Sequence, residues 1–191
     1  KILKAAEIEF ATHGFNGATV RDITKRAEAN IASINYHFGT KEVLFKEMVR
    51  YRIQPINDHR LALLDEALER NDSAPLPLEQ IIDIIVRPLL TTLMSGACEG
   101  HYFMKAMGKG LGEDRPFMKE IHQDILKKVI QRFALEISRT LGNPEFPTIA
   151  YGMHFLSCSI TGAMLQHQRL EHLSEGKVDL SAQEGADGIN R

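Results

Sequence analysis

Tryptophan is absent, cysteine occurs twice, and aromatic residues make up only 7% of the 191 positions. Two cysteines, Cys98 and Cys158, are too few for a disulfide framework, and neither has partners at metal-ligand spacing. They are expected as small buried side chains of a cytoplasmic protein, with neither a metal nor a cofactor. No uncharged apolar run approaches the length that spans a bilayer, and no secretory signal is visible. Period-two alternation is missing as well, and so is any internal repeat, which leaves an all-α chain. A net charge of −2 excludes a general nucleic-acid coat.

Enzymatic chemistry finds little support. No nucleophile–base arrangement stands out. Gly108-Lys109-Gly110-Leu111-Gly112 follows no strand and lacks Walker spacing, so it reads as a hinge between helices and not as a phosphate loop. His167 and His172 lie five apart, on different sides of a helix.

The charge that exists is unevenly placed. Residues 1–52 hold nine Lys/Arg against six acids, a surplus of +3, whereas the remaining 14 basic and 19 acidic residues give −5. A basic head on an acidic body suits a site-specific DNA binder, because phosphate contacts need only local positive charge.

That head has clear punctuation. Residues 1–13 place Leu3, Ala6 and Phe10 on one helical face, ending at Gly14. The chain opens at Lys1 already inside this helix, so a native start and any basic arm before it are expected to be missing. Thr19 caps a second helix, with Asp22 three residues on to complete a capping box; Ile23 and Ala27 share its inward side. Asn30 caps a third, 31–38, whose buried side is expected to be Ile31, Ile34 and Phe38. Gly39 stops it and Thr40 opens the next helix. Ser33, Asn35, Tyr36 and His37 are left near the outward face, flanked by Arg21 and Lys41. Small polar, amide, phenol and imidazole groups on a short helix suit insertion into a DNA groove.

The run from Thr19 to Ala27 and the block Asn35-Tyr-His-Phe-Gly-Thr-Lys-Glu-Val-Leu-Phe45 closely resemble the helix-turn-helix of the TetR family of transcriptional regulators. Phe10 and His13-Gly14-Phe15 also fit, so the resemblance covers residues 1 to about 52 and is architectural beyond. Glu28 departs from the glycine usual at the corner, where a left-handed backbone would strain a residue with a Cβ. The resemblance implies a head at 1–46 that reads a pseudo-palindromic operator, an effector-binding and dimerisation body at 47–173, and homodimers paired through the two C-terminal helices. Ser33, Asn35, Tyr36 and His37 would meet bases or the adjacent backbone; Thr19, Arg21, Thr40 and Lys41 would hold phosphates.

The body reads as further helices. One runs on from Thr40 until Pro55 interrupts it and resumes at Ile56. Residues 79–94 are apolar around most of the circumference, with Pro88 inside. A break at 95–100 precedes a short helix, 101–107. Over 115–141, Phe117, Ile121, Ile125, Val129, Phe133, Ile137 and Leu141 form a stripe at i+4 spacing. The last helix, 148–173, carries Gly152, Ser159, Gly162 and Ala163 beside Ile149, Met153, Leu156, Ile160 and Met164, a composition that allows close helix pairing. Residues 174–191 have the composition of a disordered tail.

An effector pocket is expected from Leu90, Met94, Phe103, Met104, Met107, Phe117, Ile121 and Phe155, with Arg87 or His101 for a polar end; Lys105 and Lys109 are further candidates. Methionine and phenylalanine make adaptable apolar walls, although the same residues would serve as plain core. A fatty acid or acyl thioester would fit such walls. Two functions stay open: a repressor released by a small hydrophobic effector, and a dimeric DNA-binding regulator controlled by a protein partner or by no effector.

Overall fold

The computed structural model describes residues 1–94, 99–111, 116–165 and 172–177, and among these every regular element is helical. The tail expected at 174–191 lies outside the described residues from 178 on. The chain folds as two compact units, Lys1–Pro55 with Cys98–Ile125, and Ile56–Ala97 with Leu126–Arg191. The first therefore extends beyond the head expected at 1–46, drawing in a segment from within 47–173.

In the first unit, α1 (Ile2–Gly17) is interrupted at Gly14, whose φ of 72° and ψ of 176° are open to glycine without strain. Next come α2 (Val20–Ala27), α3 (Ile31–Phe38) and the start of α4 (Lys41–Arg70). With them belong α6 (Glu99–Leu111) and α7 (Pro116–Ile121). Helix α1 packs on both α2 and α6.

Rings dominate this core. Phe15 stacks on Phe10 with centroids 5.7 Å apart, and Phe45 meets both edge-on. Phe117 of α7 approaches Phe15 to 4.7 Å and Phe45 to 5.5 Å. Two buried carboxylates on α1 are held by arginines. Glu7 accepts from Arg52 Nε at 2.7 Å and Nη2 at 2.9 Å, and Glu9 accepts from Arg26 Nε at 2.6 Å. Such paired, hydrogen-bonded charges avoid the desolvation loss of isolated ones.

In the second unit, the remainder of α4 joins α5 (Leu78–Met94), α8 (Lys127–Thr140) and α9 (Phe146–Leu165). Its core is mainly aliphatic, built from Leu64, Leu68, Leu76, Ile81, Ile84, Ile85, Leu90, Val129 and Ile137 around Phe133. Glu136 is buried and accepts from Arg132 and Arg139 on the same helix.

Three boundaries differ from the sequence expectations. Pro55 does not interrupt α4, which runs through it. The lost donor removes a single bond, while Ile56, Asn57, Arg60 and Leu64 on the following turns are buried and hold the helix. Gly108 and Gly110 likewise lie within α6 and make no break there; each costs about 1 kcal/mol against alanine, which packing on α1 offsets. The i+4 stripe from Phe117 is not one α-helix. Residues at i+4 advance about 40° beyond a full turn of 3.6 residues, so a long stripe cannot keep one side buried. A π-helical turn, His122–Leu126, absorbs the drift. Every stripe member from Phe117 to Ile137 is buried, and only Leu141 is exposed.

No helix among the described residues is long and apolar enough to cross a membrane. Cys158 is exposed on α9, with Sγ 3.6 Å from His154 Nε2, where a buried thiol was expected. Cys98 lies outside the described residues.

Candidate nucleic-acid interface

Caps fix the geometry of the head. The Thr19 hydroxyl accepts from the Asp22 backbone N–H at 3.1 Å and donates to the Asp22 carboxylate. Asn30 Oδ1 accepts from the Ala32 N–H at 2.9 Å, opening α3. At the corner between them Glu28 is left-handed, φ 48° and ψ 48°, as the sequence required. Its carboxylate meets Lys1 Nζ at 2.5 Å, and this hydrogen bond holds its pKa below the ordinary value. Gly39, at φ 68°, ends α3, and Thr40 Oγ1 then accepts from Val43 N–H to start α4.

Helix α3 turns Ile34 into the core and leaves Asn35, Tyr36 and His37 exposed. Tyr36 is 86% exposed and touches His37 edge-on at 5.1 Å, so two rings and an amide project together. The Ser33 side chain lies outside what is described. Ile31 was expected inside but is 47% exposed. Over only eight residues, Ile31, Ile34 and Phe38 can be phased two ways, and here Ile34 takes the inner position. Ile31 therefore stands one turn before Asn35, an apolar group beside polar ones, as a thymine methyl would require.

The residues expected to hold phosphates differ among themselves. Arg21 is exposed and makes no ion pair among the described residues. Thr19 and Thr40 are engaged as helix caps. Lys41 is half-buried: Nζ donates to the Ala18 carbonyl at 3.0 Å and lies 4.7 Å above the Phe15 ring. Its stem braces the start of α4 against the α1–α2 connection as well as presenting charge.

The expected pocket residues divide between the units. Phe103, Met104, Met107, Phe117 and Ile121 belong to the first, where Phe117 is part of the ring cluster. Arg87, Leu90, Met94 and Phe155 belong to the second. Leu90 is core, while Arg87 is exposed and bound to Asp83 one turn earlier. Phe155 is 65% exposed and points out of its unit, because Met153, Leu156 and Ile160 take the inward side of α9. The side chains of Met94, His101 and Lys109 lie outside what is described.

A three-helix head with a capped, outward-facing α3 defines a helix-turn-helix protein. Residues 2–48 match the family profile described as bacterial regulatory proteins, tetR family, and residues 83–189 match that of the tetracyclin repressor-like C-terminal domain. The chain belongs to the TetR family of transcriptional regulators. Over 49 residues it is 41% identical to the HTH-type transcriptional regulator YttP of Bacillus subtilis, and over 50 residues 42% identical to the HTH-type transcriptional repressor AcnR of Corynebacterium efficiens. Each match covers 26% of this chain but only 24% and 27% of those relatives. Among solved structures, a candidate fatty acid metabolism regulator of Clostridium perfringens is similar with a TM-score of 0.68 at 19% identity, covering 99% of this chain and 94% of that one.

Proposed function

We propose that this regulator is a cytoplasmic homodimeric repressor, released from a pseudo-palindromic operator by a small, mainly hydrophobic effector. The exposed face of α3 carries the reading. Asn35, Tyr36, His37, Ser33 and Ile31 address the major groove, while Arg21, Lys41 and the helix openings at Thr19 and Thr40 address phosphates.

Pairing is supported by the outer face of α9, where Tyr151, Gly152, Phe155 and Ser159 are exposed at helical spacing. Tyr151 and Phe155 are each 65% exposed, too much ring surface to leave in water unpartnered. The effector reading rests on the aliphatic core of the second unit. Release would be a population shift, in which the ligand favours the state whose heads no longer match successive grooves. Taking the operator from nearly full to nearly empty requires a preference of about 5.5 kcal/mol.

The test is to select an operator from random duplexes, then titrate acyl ligands of different chain length into the complex. Loss of DNA affinity with a chain-length optimum is expected. A response only to an unrelated aromatic or cationic compound, or to a protein partner, would sink the acyl reading.

A further inference from the structure

Arg60 lies on α4 within the second unit and is only 8% exposed. Its Nε–H donates to the Ile85 carbonyl of α5 at 2.7 Å, and Nη1 donates to Asn57 Oδ1 at 3.2 Å. Both acceptors are neutral. Among the described residues no carboxylate is paired with it, in contrast to Arg52, Arg26, Arg132 and Arg139, each of which meets a glutamate. Burial alone pulls its pKa down to about 10, still far above neutral pH, so the group remains a cation. Apolar side chains adjoin it along both helices: Leu61 and Leu64 follow on α4, and Ile85 belongs to the aliphatic core.

A buried charge is retained at a cost unless something pairs with it. Part of the explanation is local. Pro88 leaves the Ile84 carbonyl without its helical donor, and Arg60 donates to the adjacent Ile85 carbonyl in the same turn. A neutral donor would suffice for that. The two bonds also use only two of the five N–H groups a guanidinium carries. What distinguishes arginine is a planar fork that takes a carboxylate in two parallel bonds.

We infer that Arg60 is the anion-recognition residue of the second unit, and that it takes the carboxylate of an apolar carboxylic acid whose chain lies along the aliphatic core. This rests on the hydrophobic-effector reading and sharpens it. A free acid places its full charge at the end of the chain, beside the guanidinium. An acyl thioester places there only a neutral carbonyl, its charged groups being remote. Arg87, already held by Asp83 at the surface, is displaced as the head-group partner.

The probes are dodecanoate and dodecanol, matched in chain length and differing in charge, with binding followed by calorimetry on the intact protein and on Arg60→Met. Wild type is expected to bind dodecanoate about 10- to 100-fold more tightly than dodecanol, as a charge-assisted pair provides. Arg60→Met should erase that difference, through the loss of dodecanoate binding. Equal binding of the two by wild type overturns the role of Arg60 but leaves an apolar effector standing. A preference for dodecanoate that persists in Arg60→Met has the same consequence. Binding of neither removes the apolar-chain reading, and the inference with it. Should Arg60→Met fail to fold, the Arg60 Nε–H resonance of wild type decides: it must move with dodecanoate and not with dodecanol, and if unmoved the inference falls.

Discussion

The two units bury different kinds of side chain. In the first, Phe10, Phe15, Phe45 and Phe117 form a cluster of stacked, tilted and edge-to-face rings, and the buried Glu7 and Glu9 are each met by an arginine from another helix. In the second, aliphatic side chains surround one ring, and a buried arginine meets only neutral oxygens. Ring pairs have preferred geometries and resist displacement, whereas aliphatic cores tolerate repacking at modest cost. A stiff frame suits a head that presents α3 at fixed register, and an adaptable one suits the ligand-responsive body proposed above.

The largest expected effect tests that stiffness. Phe45→Ala removes the ring that touches three others and should cost about 3–5 kcal/mol, whereas Ile81→Val in the aliphatic core should cost about 0.5–1.5 kcal/mol. Urea denaturation of both variants measures the gap. Equal losses would dissolve the contrast between the cores.

Function should divide the other way from stability. Asn35→Ala, on an exposed face, should leave stability within about 0.5 kcal/mol yet relax one operator position by about 1–3 kcal/mol. Arg21→Ala should weaken all sequences alike and lower the salt slope by about 1. Binding to a randomised operator library at several salt concentrations reads both effects. An unchanged preference in Asn35→Ala would remove α3 as the base reader.

The head was legible because its boundaries are written in single residues. Thr19 with Asp22, Asn30, and Gly39 each specify a local geometry that the structure displays. Inward and outward faces were less legible. Ile31 was misplaced because a two-turn helix offers too few positions to fix a phase. Phe117 read as a pocket wall because apolar spacing cannot say which core a residue enters. It joins the rings of the head, and the π-helical turn then redirects the stripe into the second unit. Arg60 gave no signal at all: burial of one charge among 23 Lys/Arg depends on tertiary packing that no motif encodes.

A smaller effect concerns the corner. Glu28→Gly should raise the thermal midpoint by about 2–4 °C, since glycine adopts the left-handed conformation without a Cβ clash. The ion pair it sacrifices, with Lys1, is exposed and contributes little. The pair of units makes the reading specific, because operator affinity should be unchanged if α3 keeps its angle. A midpoint that stays level or falls would show that the corner is not strained.

The smallest effect is expected where α4 meets the end of α7. Lys46 donates to Asp124 at 2.9 Å and to Glu120 at 3.2 Å. Those two hydrogen bonds, Asp124 foremost, raise its pKa above the ordinary 10.5. A lysine whose folded pKa is raised stabilises the fold fully below its unfolded value and loses that contribution as pH climbs through the folded one. The difference in melting temperature between wild type and Lys46→Met should therefore be level from pH 7 to 9 and shrink only above about 10.5. Half-exposed carboxylates also imply screening, so added salt should shrink the same difference at neutral pH. A gap that is insensitive to both pH and salt would mean that Lys46 acts through its apolar stem, and that the first unit is held there by packing alone.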